Sequence, residues 1–195
     1  MARVEEPLLE SADIKRPNSW SPDGQFILFS SELNNGDLMV VPVTGERKPF
    51  TFLSTPFTEQ QGVFSPDGKW VAYQSNESGR YQIYVQPFQG SGGQWQISTA
   101  GGTSPRWRAD GKELYYLAPD DTLMAVAAAV TGRTFQPGTP EALFQTHPVQ
   151  AGIKPQYDVA HDGRILIDTE LQDVSAEPIH VLLNWNPEAK SSRPS

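Results

Sequence analysis

Trp20-Ser21-Pro22-Asp23-Gly24-Gln25-Phe26-Ile27-Leu28-Phe29-Ser30 returns, changed but recognisable, as Phe64-Ser65-Pro66-Asp67-Gly68-Lys69-Trp70-Val71-Ala72-Tyr73-Gln74. It returns again as Trp107-Arg108-Ala109-Asp110-Gly111-Lys112-Glu113-Leu114-Tyr115-Tyr116-Leu117 and, more weakly, as Val159-Ala160-His161-Asp162-Gly163-Arg164-Ile165-Leu166-Ile167-Asp168. The turn aspartates Asp23, Asp67, Asp110 and Asp162 are 44, 43 and 52 residues apart. Four strings in register are a repeat, and the stretched third interval places extra residues in the Pro/Gly-rich segment Gly132 to Pro155.

The chemistry of each copy is that of a tight turn between strands. Proline presets φ, aspartate accepts hydrogen bonds from nearby backbone N–H groups, and glycine tolerates positive φ. Asp23-Gly24, Asp67-Gly68, Asp110-Gly111 and Asp162-Gly163 are therefore structural turn residues. The strands that follow are almost continuously apolar: Phe26-Ile27-Leu28-Phe29, Trp70-Val71-Ala72-Tyr73, Leu114-Tyr115-Tyr116-Leu117 and Ile165-Leu166-Ile167. One wet face would impose alternation, so continuous runs mean sheets covered on both sides. Radially stacked blades cover their sheets in this way, and about 40–45 residues is the period of a four-stranded propeller blade.

Third strands are predicted at Asp37 to Val43, Tyr81 to Phe88, Leu123 to Val130 and His180 to Trp185. Outer fourth strands are predicted at Lys48 to Leu53, Gln94 to Ser98 and Ala142 to Thr146. The last copy lacks a fourth strand, and Pro7-Leu8-Leu9-Glu10 is the spare strand expected to complete it and close the ring. The expectation is an all-β protein: a β-propeller of four four-stranded antiparallel blades over residues 1–185. The blades fall near 17–53, 61–98, 104–146 and 155–185 plus 7–10, and a flexible tail occupies 186–195.

Composition narrows the functions. With 15 Lys and Arg against 23 Asp and Glu the formal charge is −8, which excludes the basic face a nucleic-acid binder needs. No apolar run is long enough for a membrane-spanning helix, so no membrane insertion of this chain is expected. Met1 to Glu10 carries three glutamates and no hydrophobic stretch with a cleavage site, so it does not read as a signal peptide. There is no cysteine, hence no disulfide, thiolate nucleophile or cysteine–zinc site.

The Ser-Pro-Asp-Gly turn, the aromatic residue before it and the strand Tyr81-Gln82-Ile83-Tyr84-Val85 resemble the WD-like propeller repeats of the TolB type, from about Pro7 to Trp185. Ile179-His180-Val181-Leu182-Leu183-Asn184-Trp185 resembles the closing strand of the propellers joined to bacterial membrane-linked serine/threonine kinases. The resemblance implies a β-propeller of the kind that serves as a periplasmic binding protein, a kinase sensor or the gating half of an oligopeptidase. It places such a module in the periplasm or outside the cell. Propellers of this type have six to eight blades and four are legible here. The chain then reads as the C-terminal part of a longer protein, as a compact four-bladed ring, or as a half-propeller that pairs with itself.

Little catalytic chemistry is legible. No G-x-S-x-G elbow occurs, and Gly90-Ser91-Gly92-Gly93 falls where a hairpin turn belongs. No phosphate-cradling glycine loop is present. Asp158, His161 and Asp162 form the one metal-like string, but His161 stands in the proline slot of the turn and Asp162 is the turn aspartate. His147 and His180 are isolated, Asp120-Asp121 reads as a loop, and Asn76-Glu77-Ser78 marks an exposed one. No cofactor, metal or catalytic residue is assigned.

Trp20, Phe64 and Trp107 recur at one position and read as packing between blades, whereas Phe57, Trp95 and Phe135 stand outside that series. Loops at one mouth of the ring are the natural binding surface. Glu32, Asn34, Phe57, Glu59, Asn76, Arg80 and Arg106 are the candidate ligand- or partner-binding residues. The function expected is a non-catalytic binding or scaffolding module for a protein, small-molecule or oligosaccharide ligand, with a homodimer as a further possibility. The reading from another class is the propeller part of a hydrolase or polysaccharide lyase.

Overall fold

The computed structural model describes residues 6–32, 36–90, 92–131, 134–147 and 157–169, together with the backbone of 181–182. Among these residues there is no helix, and the strands form antiparallel sheets that follow the repeats one for one. Blade 1 is β1 (Lys15–Trp20), β2 (Phe26–Ser31), β3 (Asp37–Pro42) and β4 (Phe50–Leu53), paired in that order. Blade 2 is β5 (Glu59–Phe64), β6 (Trp70–Ser75), β7 (Gln82–Pro87) and β8 (Trp95–Gln96). Blade 3 is β9 (Thr103–Trp107), β10 (Glu113–Leu117), β11 (Thr122–Thr131), β12 (Thr134–Pro137) and β13 (Glu141–Gln145). Blade 4 shows β14 (Tyr157–Val159), β15 (Ile165–Ile167) and β16 (Val181–Leu182), the last within the expected third strand His180 to Trp185.

The continuous apolar runs split by parity, as a sheet sandwiched between neighbours requires. Val71 and Tyr73 of β6 turn toward blade 1, where Leu28, Leu38 and Val40 meet Phe64 and Tyr84 in one core. Trp70 and Ala72 of the same strand turn the other way, into a core with Leu114, Tyr116, Val126 and Phe135 of blade 3. In β10, Leu114 and Tyr116 face back to blade 2, while Tyr115 and Leu117 face Tyr157, Ile165 and Ile167 of blade 4. Three cores in series, each shared by two consecutive sheets, give the radial stacking of a propeller. Inner strands are also stitched from blade to blade: the Phe64 N–H donates to Ser19 Oγ at 3.2 Å, and the Tyr157 hydroxyl donates to the Ser104 carbonyl at 2.8 Å.

The turns between first and second strands show why serine precedes Pro-Asp-Gly. Ser21 Oγ–H donates to Asp23 Oδ1 at 2.5 Å and accepts the Phe26 N–H at 2.9 Å, and Asp23 Oδ1 also takes the Gln25 N–H at 3.0 Å. These donors hold the Asp23 carboxyl below its usual range, the Ser21 hydroxyl most of all. Ser65 and Asp67 repeat the arrangement. Gly24 at φ 73° and Gly68 at φ 70° occupy the left-handed region that aspartate-glycine turns need. The fourth turn is one residue shorter, closing from Ala160 N–H to Arg164 O where the second closes from Ser65 N–H to Trp70 O. Ile165, not Leu166, therefore pairs with Val159 and packs against blade 3, and Leu166 is left facing outward.

Two expectations change. The surplus residues of the third copy are only partly loop: β11 runs for ten residues, and its far half, Ala128 to Thr131, pairs with β12 as a hairpin arm that begins before Gly132. β12 and β13 then follow each other along the same edge of β11 as one interrupted outer strand. The arm delivers Phe135, 2% exposed, into the core between blades 2 and 3. Residues 7–10, expected to close the last sheet, are described and are not a strand. Glu6 instead pairs with Arg47 at 3.0 Å, and Ser31 Oγ–H donates to Asp13 Oδ2, so this segment is fastened to blade 1 and ring closure by it is not seen.

Candidate functional mouth

Because successive strands are antiparallel, the connections after β2, β4, β6, β8 and β10 lie at one end of the sheets. They are tied to one another, both within a blade and from one blade to the next. The Glu59 N–H donates to Gly36 O at 2.9 Å, the Thr58 N–H to Asn76 Oδ1 at 2.9 Å, the Gly102 N–H to Tyr81 O at 2.9 Å and the Thr146 N–H to Asp121 O at 3.0 Å. Each loop entering a blade is thus held by a loop of an adjacent hairpin, which fixes a mouth on the rigid end of the sheets.

The most developed part lies between blades 1 and 2. Glu59, at the start of β5, is fully buried, and its Oε1 accepts from the Thr55 hydroxyl at 2.6 Å and from the Ser75 hydroxyl at 3.1 Å. Thr55 Oγ1 in turn accepts the Phe57 N–H at 3.0 Å. With Thr58 anchored on Asn76, both sides of Phe57 are pinned, yet the residue is 42% exposed. Among the described residues, Glu59 Oε2 and Asp37 Oδ1 are buried and meet no hydrogen-bond donor. Burial pushes the Glu59 carboxyl up, the two hydroxyls oppose that shift, and the like charges of Asp37 and Glu77 add to it.

A carboxyl raised in the folded state imposes no penalty below its unfolded value, and its contribution to stability is lost as the pH rises through the folded value. Glu59→Gln removes that ionisation. Urea unfolding at pH 4 and pH 8 is expected to show the wild type losing stability relative to the variant as the pH rises. A difference between the two proteins that is flat across this range contradicts the assignment.

The other candidates divide. Asn76 is half-buried, and its side-chain oxygen is spent on the Thr58 N–H. Arg80 is exposed and donates to Ala100 O at 3.3 Å, on the blade 2–3 side of the mouth. Exposed Glu32 accepts from Arg16 Nε at 2.8 Å and also pairs with Arg16 Nη2. Asn34 lies outside the described residues. Arg106 is not brought to the loops: it is the fourth residue of β9, about 10 Å along the strand from Thr103, and it faces Asp158 at 3.7 Å.

Sequence reading missed Asp37, Thr55 and Ser75, which together make the Glu59 pocket. Only the repeat register hints at it. Glu59 stands five residues before Phe64, as Gly102 stands five before Trp107. A side chain at Gly102 would strike Tyr116 Cδ2 at 2.8 Å, so the space that holds a carboxylate in blade 2 is closed in blade 3.

Among the described residues no three His, Cys, Asp or Glu side chains gather to hold an ion. Asp158 accepts its neighbour Val159's N–H and faces Arg106, and Asp162 pairs with Arg164 Nε at 2.7 Å.

No protein-family model matches the sequence, and no curated protein sequence matches it. Solved structures do. TolB from Acinetobacter baumannii superposes with a TM-score of 0.62 at 19% identity, over 79% of this chain and 37% of that one. A protein described as TolB from Agrobacterium tumefaciens gives 0.58 at 19% identity, over 70% and 51%. A protein from Bacteroides uniformis described as a 6-phosphogluconolactonase gives 0.53 at 18% identity, over 80% and 48%. The chain therefore has the fold of TolB-type β-propellers and spans about half, or less, of the length of these structures.

Proposed function

We propose that the chain is a non-catalytic binding module that takes a protein segment at the mouth between blades 1 and 2, with Phe57 as its anchor. The observation that carries this reading is the construction around Phe57. An exposed aromatic ring is held out on a loop whose backbone is fixed by Thr55 and Asn76, and Thr55 is itself fixed by a fully buried carboxylate. Aromatic side chains on a pre-ordered scaffold lose little entropy on binding and dominate protein interfaces. Arg80 and Glu32 supply charge of both signs on the exposed rim, where it steers and orients a partner more than it adds affinity.

A library of displayed linear peptides, selected on the purified chain, tests the reading. Peptides recovered on the wild type are expected to lose at least tenfold in affinity against Phe57→Ser, with the circular dichroism of the variant unchanged. Equal binding to both proteins, or recovery of no peptide, counts against it.

A further inference from the structure

The aromatic residue before each turn faces the preceding blade. Phe64 is 6% exposed in the core shared with blade 1. Trp107 packs in the core shared with blade 2, and its indole N–H donates to Val63 O at 3.3 Å. Trp20 holds the same position in blade 1 and is 58% exposed. At the other end of the arc, Leu166 is 48% exposed. The register makes Leu166 the counterpart of Leu28: Val159 pairs with Ile165 as Trp20 pairs with Ile27, and each leucine comes next. Leu28 is the fully buried residue that shares a core with Phe64.

One end of the chain thus presents an aromatic residue without its leucine, and the other a leucine without its aromatic residue. Both are open in the same molecule, so among the described residues blade 4 does not cover Trp20. The segment before β1 is fastened to blade 1 at Arg47 and Ser31 and also leaves Trp20 exposed. The matched part of the chain spans only 37%, 48% and 51% of three solved propellers of this fold, which carry further blades beyond it.

We propose that a second copy of this chain covers both faces, joining two four-bladed arcs through two identical contacts. In each contact Trp20 packs on Leu166 of the partner subunit. Its indole N–H meets the carbonyl of Asp158 of the partner subunit, because Asp158 precedes Val159 as Val63 precedes Phe64. A two-fold arrangement makes this interface closed and self-limiting, and it removes two exposed apolar residues together. It is independent of the Phe57 mouth, which lies between blades of one chain.

The absence of cysteine makes the test clean. Trp20→Cys and Leu166→Cys are made separately, mixed in equal amounts and oxidised. The expected result is a covalent dimer at twice 21.5 kDa in the mixture, at several times its yield in either variant alone. By light scattering the wild type is expected at the dimer mass, with Trp20→Glu and Leu166→Glu each weakening association at least tenfold, while Phe57→Ser leaves it intact. A wild type at single-chain mass at every concentration overturns the proposal, as does a dimer indifferent to both glutamates. An intramolecular bridge in the Trp20→Cys, Leu166→Cys double variant also overturns it, since that means blade 4 of the same chain closes the ring.

Discussion

Phe135→Ala is expected to lower the stability of the chain by about 3–5 kcal/mol, the cost of emptying a large aromatic site in a packed core. The ring lies 5.5 Å from Trp70, 6.2 Å from Trp95 and 6.0 Å from Trp107, so one side chain on the β11–β12 arm closes an aromatic group drawn from three different strands. Trp70 and Trp95 also meet edge to face at 5.6 Å, and neither can collapse into the hole without losing that geometry. For a chain of this length the loss corresponds to a fall in Tm of roughly 6–20 °C. Urea or thermal unfolding reads it. A change below about 1 kcal/mol would mean that the arm does not seat Phe135 between blades 2 and 3.

The second large effect concerns the core between blades 1 and 2. Leu28→Ala is expected to cost about 3–5 kcal/mol, since Leu28 is completely buried among Leu38, Val40 and Phe64. The site contains its own control. A Cβ on Gly62 would come within 2.6 Å of Leu28 Cδ2 and 3.3 Å of Leu38 Cδ1, so the glycine in β5 leaves room for the leucine of β2. Gly62→Ala alone therefore overpacks the site, at about 1–3 kcal/mol. Combined with Leu28→Ala, the new methyl enters vacated space, and the double variant is expected to be at least about 1 kcal/mol more stable than additivity gives. Strict additivity contradicts the packing described.

Much of this architecture was legible because it is repeated. Four aspartate-glycine turns announced four units, and the continuous apolar runs announced sheets with two covered faces, which the alternation of Trp70 and Ala72 against Val71 and Tyr73 bears out. What escaped reading is what the repeat does not share. Phe135 had no counterpart in the other copies, so nothing indicated that the hairpin carrying it folds back between two blades. A one-residue shortening of the fourth turn moved Leu166 from a core position to a face, and string alignment on Asp-Gly hides such a slip. Pro7 to Glu10 had a strand's composition, but the neighbouring Glu6 and Asp13 find partners on blade 1.

The mouth was legible in outline only. Phe57, Glu59 and Asn76 do come together, because loops at one end of consecutive antiparallel hairpins must. Their division of labour was not readable: Glu59 reads as an exposed loop charge, yet it is the buried peg that fixes the loop presenting Phe57. Arg106 stands apart from the loop candidates for a simpler reason. It lies inside β9, where strand direction, not sequence proximity to a loop, decides what it meets.

The central claim is that consecutive repeats stack as blades, each core shared by two neighbours only. Nuclear Overhauser contacts between methyl and aromatic protons test it most directly. The account predicts contacts from Leu28 methyls to the Phe64 ring, from Leu114 methyls to the Trp70 ring and from Leu117 methyls to the Tyr157 ring, with none between Leu28 and Tyr157. Contacts joining the first and third of these groups within one chain, as two sheets folded face to face produce, would contradict it.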